Sequence, residues 1–228
     1  MTDTLSIGFR TRTGQARRAQ TRRKILKATL ELFDQDKVDR VTIDDVRVLA
    51  GLSRGTFYNY FPTLEAMLTE ITADIATQIN LEQTQYFGAI PDLAMRLCQN
   101  VRYFITRTAA DRACGNILLR VVPLVGAPNQ AMRELPQREM TEALASGVIN
   151  IPSIAVAVDV GIGIGSAMVQ RGLAHGITEA EIEGAGLMLL RALGVAEDKA
   201  LAISKIKLPP LPATSLSDKV IAQEFGQP

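Results

Sequence analysis

The sequence predicts an all-α protein, on three observations. Apolar residues recur at helical spacing almost throughout, strand-like alternation is scarce, and glycine and proline break the chain at helix-length intervals. The first helix falls near residues 17–35, with Ile25, Thr29, Leu32 and Phe33 on one face. A second starts at Thr42, because Thr42-Ile43-Asp44-Asp45 has the capping-box pattern of a hydroxyl followed three positions later by an acid. It carries Ile43, Val46, Leu49 and Ala50 and ends at Gly51, a residue that accepts the left-handed backbone of a helix terminus. Ser53 caps the third helix, which buries Phe57 and Phe61 and stops near Pro62. The fourth is long, with Leu64, Met67, Leu68, Ile71, Ile75 and Ile79 in register. Later breaks predict helices over 92–122, 129–146, 153–174 and 178–193, the first of these divided near Asp111 to Gly115. Residues 207–217, KLPPLPATSLS, read as an extended linker, so the tail is either disordered or an arm packed on the surface.

Composition narrows the class. With 228 residues and 47% apolar content, the chain can build a sizeable core. The start MTDTLSIGFR has neither an apolar run nor a small-residue cleavage site, so no secretory signal is read and a cytoplasmic location is expected. Cys98 and Cys114 fit neither a C-x-x-C pair nor a zinc cluster, and one histidine, His175, cannot make up the ligand set, so no metal or cofactor is expected. Net charge is only +1, yet residues 1–60 hold twelve Lys or Arg against seven Asp or Glu. One end therefore suits a polyanion, or carries a solvated basic arm.

The second and third helices, joined by a short glycine-containing turn, have the helix-turn-helix arrangement in which the second member enters the major groove; a purely structural corner has the same outline. The run Ala50-Gly51-Leu52-Ser53-Arg54-Gly55-Thr56-Phe57-Tyr58-Asn59-Tyr60-Phe61-Pro62 closely resembles the recognition signature of TetR-family regulators. Thr21-Arg22, Ile25-Leu26, Leu32-Phe33, Val41-Thr42-Ile43, Glu65 and Leu68 extend the resemblance over about residues 21–68. It implies a ligand-responsive repressor that binds a palindromic operator as a homodimer. On that reading Thr42, Ser53, Arg54, Gly55, Thr56, Tyr58, Asn59 and Tyr60 form the DNA-binding surface. Arg54 suits guanine, Asn59 suits adenine, and the hydroxyls suit phosphates. Three positions depart from the family pattern: Leu64 stands where a phosphate-gripping lysine is usual, Lys37 falls near the usual glycine between helices 1 and 2, and Arg47 replaces a small residue. Arg10, Arg12, Arg17 and Arg18 either supply the missing backbone contact or form a solvated arm.

The implied organisation is a basic arm at 1–18, a helix-turn-helix domain at 19–64, a larger helical domain for ligand binding and dimerisation at 65–194, and a tail at 195–228. The small-residue apolar run 154–169, IAVAVDVGIGIGSAMV, with Leu187, Leu190 and Ala192, suits an intersubunit bundle. Its glycines lack the G-x-G-x-x-G spacing and strand context of a dinucleotide loop. A membrane span would want about 20 apolar residues, without an acid such as Asp159 near the middle. An inducer pocket would be apolar with a few polar anchors. Tyr86, Cys98, Arg102, Phe104, Asn116, Arg120, Met168 and Gln170 are the candidates by position. His175, just before Gly176, reads as a helix-terminus residue. No nucleophile, base and orienting acid stand in a recognisable order, so no enzyme activity is expected.

Overall fold

The computed structural model describes residues 3–35, 40–124 and 130–223, with their side chains apart from those of 3–15 and 122–124. The described residues form eleven helices and no strand, the all-α fold that the periodicity predicts. A head is made by α1 (Asp3–Phe33), α2 (Ile43–Leu49) and α3 (Arg54–Tyr58). The body follows with α4 (Leu64–Phe87), α5 (Leu93–Ala109), α6 (Arg112–Leu124), α7 (Gln130–Ala145), α8 (Ile154–His175) and α9 (Glu179–Ala192). The chain ends with α10 (Glu197–Ser204) and α11 (Leu216–Gln223).

Local chemistry sets these boundaries. Asp92 caps α5 by accepting from the Ala94 and Met95 amides, and Thr178 opens α9 in a capping box with Glu181. Asp111 parts α5 from α6, where its carboxylate accepts from the Cys114 amide at 3.1 Å. One expectation needs correcting. Helix α1 begins at Asp3 rather than near residue 17. Gly8 and Gly14 each cost a helix only about 1 kcal/mol, and no proline stops it. The tail takes the second of the two forms the sequence allows, a packed arm: 207–215 carry no helix, while α10 and α11 are helical and Leu216 and Val220 of α11 are fully buried. The side chains of Arg10 and Arg12, residue Lys37 and the tail end 224–228 lie outside the described residues.

Helix α4 ties head to body. Its stripe Leu64, Met67, Leu68, Ile71, Ile75 and Ile79 is buried in one cluster with Ile25, Phe33, Val46, Phe57 and Phe61 of the head. The same cluster takes in Ile117 and Leu118 of α6 and Leu216 and Val220 of α11. Asn116 of α6 donates to the Phe33 carbonyl at 2.8 Å, a second tie between body and head. The rest of the body packs around α5, whose Leu97 and Cys98 meet Val158 of α8 and Leu189 and Leu190 of α9.

The tail acts as a strap held by polar groups. Glu82 of α4 is only 4% exposed and takes hydrogen bonds from Arg107 (3.0 and 3.1 Å) and Tyr103 (2.7 Å), with Lys219 of α11 at 2.7 Å. Arg107 also donates to the Thr214 carbonyl (2.8 Å), and Arg102 to the Ile206 carbonyl (2.6 Å). Asp111 accepts from the Ser217 amide and hydroxyl at 2.8 and 2.7 Å. Buried charges persist when paired and hydrogen-bonded in this way.

Candidate nucleic-acid interface and internal cavity

The turn between α2 and α3 is built from side-chain caps. The Asp45 amide donates to the Thr42 hydroxyl at 3.3 Å, and the Thr42 amide donates back to the Asp45 carboxylate at 2.8 Å. The Thr42 hydroxyl, which donates to the carboxylate at 2.7 Å, and then the Thr42 amide hold the Asp45 carboxyl below its ordinary value. Gly51 sits at φ 67°, the left-handed conformation that ends α2 without a Cβ penalty. Ser53 then caps α3 by accepting from the Thr56 amide at 3.1 Å.

Helix α3 is short and two-sided. Phe57 and Phe61 are buried against α1 and α4, with ring centroids 6.1 Å apart. Ser53, Arg54, Gly55, Tyr58 and Asn59 are exposed, as is Thr42 at the start of α2, while Thr56 and Tyr60 are half-buried. The space beside Gly55 is open, with nothing within 4 Å of where a Cβ would stand, so internal packing does not require glycine there. The Arg54 guanidinium lies 5.8 Å from the Tyr58 ring centroid. A hydrogen bond to Tyr58, followed by the attraction of Tyr58 and Asp44, holds Arg54 above its ordinary value. Arg18 stacks over Tyr60 at 5.8 Å. Arg17, Arg18, Gln20 and Thr21 of α1 line an open groove with Thr56, Asn59 and Tyr60. Gln20 and Thr21 were missed as groove residues, although their helical spacing from Arg17 puts them on its face.

The departures from the family pattern have physical reasons here. Leu64 belongs to the core at 8% exposure, so a lysine there would bury its stem or its charge. Arg47 pairs with Asp44 on its own helix at 2.5 Å. Arg22 pairs with Glu70 of α4 at 2.9 Å, a further tie between α1 and α4.

In the body, α4, α5, α7, α8 and α9 line a partly open cavity of about 80 Å³. Its walls include Ile79, Leu97, Val101, Phe104, Leu135 and Ile162, with Asn80, Gln83, Asn100 and Glu139 as the polar members. Each of the three amide nitrogens is engaged: Asn80 donates to the Ala131 carbonyl (2.8 Å), Gln83 to the Asn100 carbonyl (2.8 Å) and Asn100 to Glu139 (2.6 Å). The Asn100 Oδ1 atom is buried without a hydrogen-bond partner. Burial raises the Glu139 carboxyl above its ordinary value, against the opposing pull of Asn100, Arg96 and Arg138.

Among the sequence candidates for the inducer site, Phe104 lines this cavity. Cys98 is buried beside Gly186, and burial pushes its thiol up to about 11. Arg102 is tied to the Ile206 carbonyl and Asn116 to that of Phe33. Tyr86 stacks on Phe87 and Tyr103, Met168 packs beside Ile105 and Ile182, Arg120 is half-buried and Gln170 is exposed. The polar wall residues went unread, although Gln83, Asn100 and Glu139 each interrupt an apolar stripe at a position where the helical period calls for an apolar side chain.

Residues 25–71 match the model of the tetR family of bacterial regulatory proteins. The uncharacterized HTH-type transcriptional regulator YvdT of Bacillus subtilis is 35% identical over 54 residues, a match spanning 24% of this chain and 28% of that protein. A TetR-family transcriptional regulator from Syntrophomonas wolfei is 25% identical with a TM-score of 0.59, over 83% of this chain and 98% of that one. RolR, solved with resorcinol, has a TM-score of 0.65 at 23% identity, over 86% of this chain and all (100%) of that one. FadR of Bacillus subtilis, solved with stearoyl-CoA, has a TM-score of 0.60 at 15% identity, over 76% of this chain and 97% of that one. The helix-turn-helix of α2 and α3 lies wholly within the residues matched by the family model. Residues 25–71 thus resemble the N-terminal domain of the tetR family, and the all-helical fold as a whole is similar to those of RolR and the Syntrophomonas wolfei protein.

Proposed function

We propose that the protein is a ligand-responsive repressor that binds a palindromic operator as a homodimer and releases it when a small molecule occupies the internal cavity. The observation that carries the DNA reading is the two-sidedness of α3: Phe57 and Phe61 anchor it, while Arg54, Tyr58 and Asn59 stand exposed. In this reading Arg54 takes guanine, Asn59 takes adenine, and Thr42, Ser53, Thr56, Tyr58 and Tyr60 hold phosphates or neighbouring base edges. Gly55 lets the duplex approach the backbone, consistent with the open space beside it. The groove between α1 and α3, with Arg17 and Arg18, follows the phosphates in place of the missing lysine. The domain limits are those the sequence suggests, with the strap in place of a loose tail.

Dimerisation is assigned to α8 and α9. Val156, Val160, Gly163 and Ala167 form an exposed small apolar stripe on α8, and Met188 of α9 is 57% exposed. Alone among the described helices, α8 is long and apolar enough to cross a membrane by length and composition, with 22% of its most apolar 18-residue stretch buried. It packs on α5, α6, α7 and α9 within a helical body, so a second copy of the chain is the cover proposed for its outer face. Sedimentation equilibrium at micromolar concentration is expected to give a dimer, and Val160→Glu a monomer; a monomeric wild type contradicts the assignment.

Bound ligand shifts α4, which lines the cavity and shares the core of the head, and thereby moves the two recognition helices off the roughly 34–36 Å separation of successive major grooves. A coupling of about 1–3 kcal/mol suffices to lower affinity by one to two decades. The proposal places the protein in the cytoplasm and assigns it no catalytic residue. RolR and FadR, solved with resorcinol and stearoyl-CoA, support a small-molecule effector without naming the one used here. Selection from random duplex DNA tests the core of the proposal: an inverted repeat is expected, and recovery of no preferred sequence refutes it.

A further inference from the structure

We infer that the cavity takes a small neutral molecule of one ring at most, carrying a hydroxyl that donates to Asn100 Oδ1. This rests on the proposal that the cavity is the effector site.

The polarity of the site follows from its hydrogen bonds. The amide nitrogens of Asn80, Gln83 and Asn100 already donate within the protein, whereas Asn100 is 8% exposed and its Oδ1 has no partner. Pro136, in the middle of α7, offers no N–H to the carbonyl of Met132 one turn back, and both residues line the cavity. Glu139 adds a carboxyl. Each of the three amides keeps a second N–H, but Asn100 Oδ1 is the wall atom buried without a partner, so a ligand that brings a donor satisfies an atom that otherwise stays unpaired. A carboxylate or phosphate ligand would bring another acceptor, with Glu139 close by and no cationic side chain among the described wall residues.

Size narrows the class further. The cavity of about 80 Å³ is smaller than the engineered cavity of about 150 Å³ that admits benzene. A single ring fits when Met132 and Met140, both wall residues with flexible side chains, give way. The remaining contacts, to Leu97, Val101, Phe104, Leu135 and Leu189, are apolar and suit the body of the ring.

Calorimetric titration of the full chain with phenol, toluene and benzoate tests this. Phenol is expected to bind, toluene at least about tenfold more weakly because it leaves the acceptor unpaired, and benzoate not measurably. In Asn100→Leu, checked for folding by circular dichroism, the preference for phenol over toluene is expected to vanish. Toluene equal to phenol in the wild type, benzoate tighter than phenol, or no binding by any of the three overturns the inference. The wild-type ranking decides even if the variant fails to fold. Binding of the same preparation to the selected DNA is measured alongside. If DNA binding holds and the ranking fails, only the ligand class falls; if the ranking holds and no DNA is selected, the regulator reading falls instead.

Discussion

Glu82→Ala is expected to destabilise the protein by about 3–5 kcal/mol, the cost of leaving a buried charge without its partner. Arg107 is 3% exposed and has Glu82 as its ion-pair partner, while Lys219 reaches across from α11 to the same carboxylate. Truncation would strand Arg107, free Lys219 and remove the acceptor of the Tyr103 hydroxyl. Chemical denaturation measures the loss. Lys219→Ala is expected to cost less, because Lys219 is 30% exposed and keeps access to water.

The same strap gives a pH dependence whose sign follows from the carboxylates. Burial by itself raises Glu82 and Asp111. The hydrogen bonds from Arg107, Lys219 and Tyr103 in the first case, and from Ser217 and Cys114 in the second, outweigh it and hold both below their ordinary values. A lowered folded-state value means stabilisation that is complete above the unfolded values of 4.5 and 3.8 and is lost as pH falls through the folded ones. Acid is therefore expected to loosen the attachment of α11, read as lower amide-exchange protection factors, each taken against the intrinsic rate at the same pH, in residues 216–223.

The DNA-binding head was legible because its signals are local. The Thr42 capping box, the left-handed Gly51 and the Ser53 cap lie within a dozen residues of one another, and each performs the job that its type suggests. The fourth helix was legible from the apolar stripe Leu64 to Ile79, and the divide between α5 and α6 from Asp111. The strap was open in the sequence as one of two alternatives, but what holds it was not legible, because Arg102, Arg107 and Asp111 are brought to it from far along the chain. The cavity escaped for the same reason. Asn100 is one polar residue on an apolar helix face, and its role depends on Glu139, Gln83 and Pro136, which only the packing of α4, α5 and α7 assembles. Asn116 and Arg102 were attractive as ligand anchors because they are polar and inward-facing, but their hydrogen bonds go to backbone carbonyls of neighbouring elements.

The second large effect is on recognition. Arg54 is exposed, caps no helix and lies beside Tyr58, so its replacement costs the fold little while removing a forked donor from the surface of α3. Arg54→Ala is expected to weaken binding to the selected operator by about 1–3 kcal/mol and to relax preference at one base pair in each half-site. Tyr58→Phe is expected to weaken binding to all sequences alike, since a phosphate contact positions the protein without reading bases. The most direct measurement is the affinity of wild type and Arg54→Ala for the selected inverted repeat and for its single-base variants. A base-specific loss confined to the same position of both half-sites is predicted; unchanged affinity and base preference in a folded Arg54→Ala protein would contradict the assignment of α3 as the helix that reads DNA.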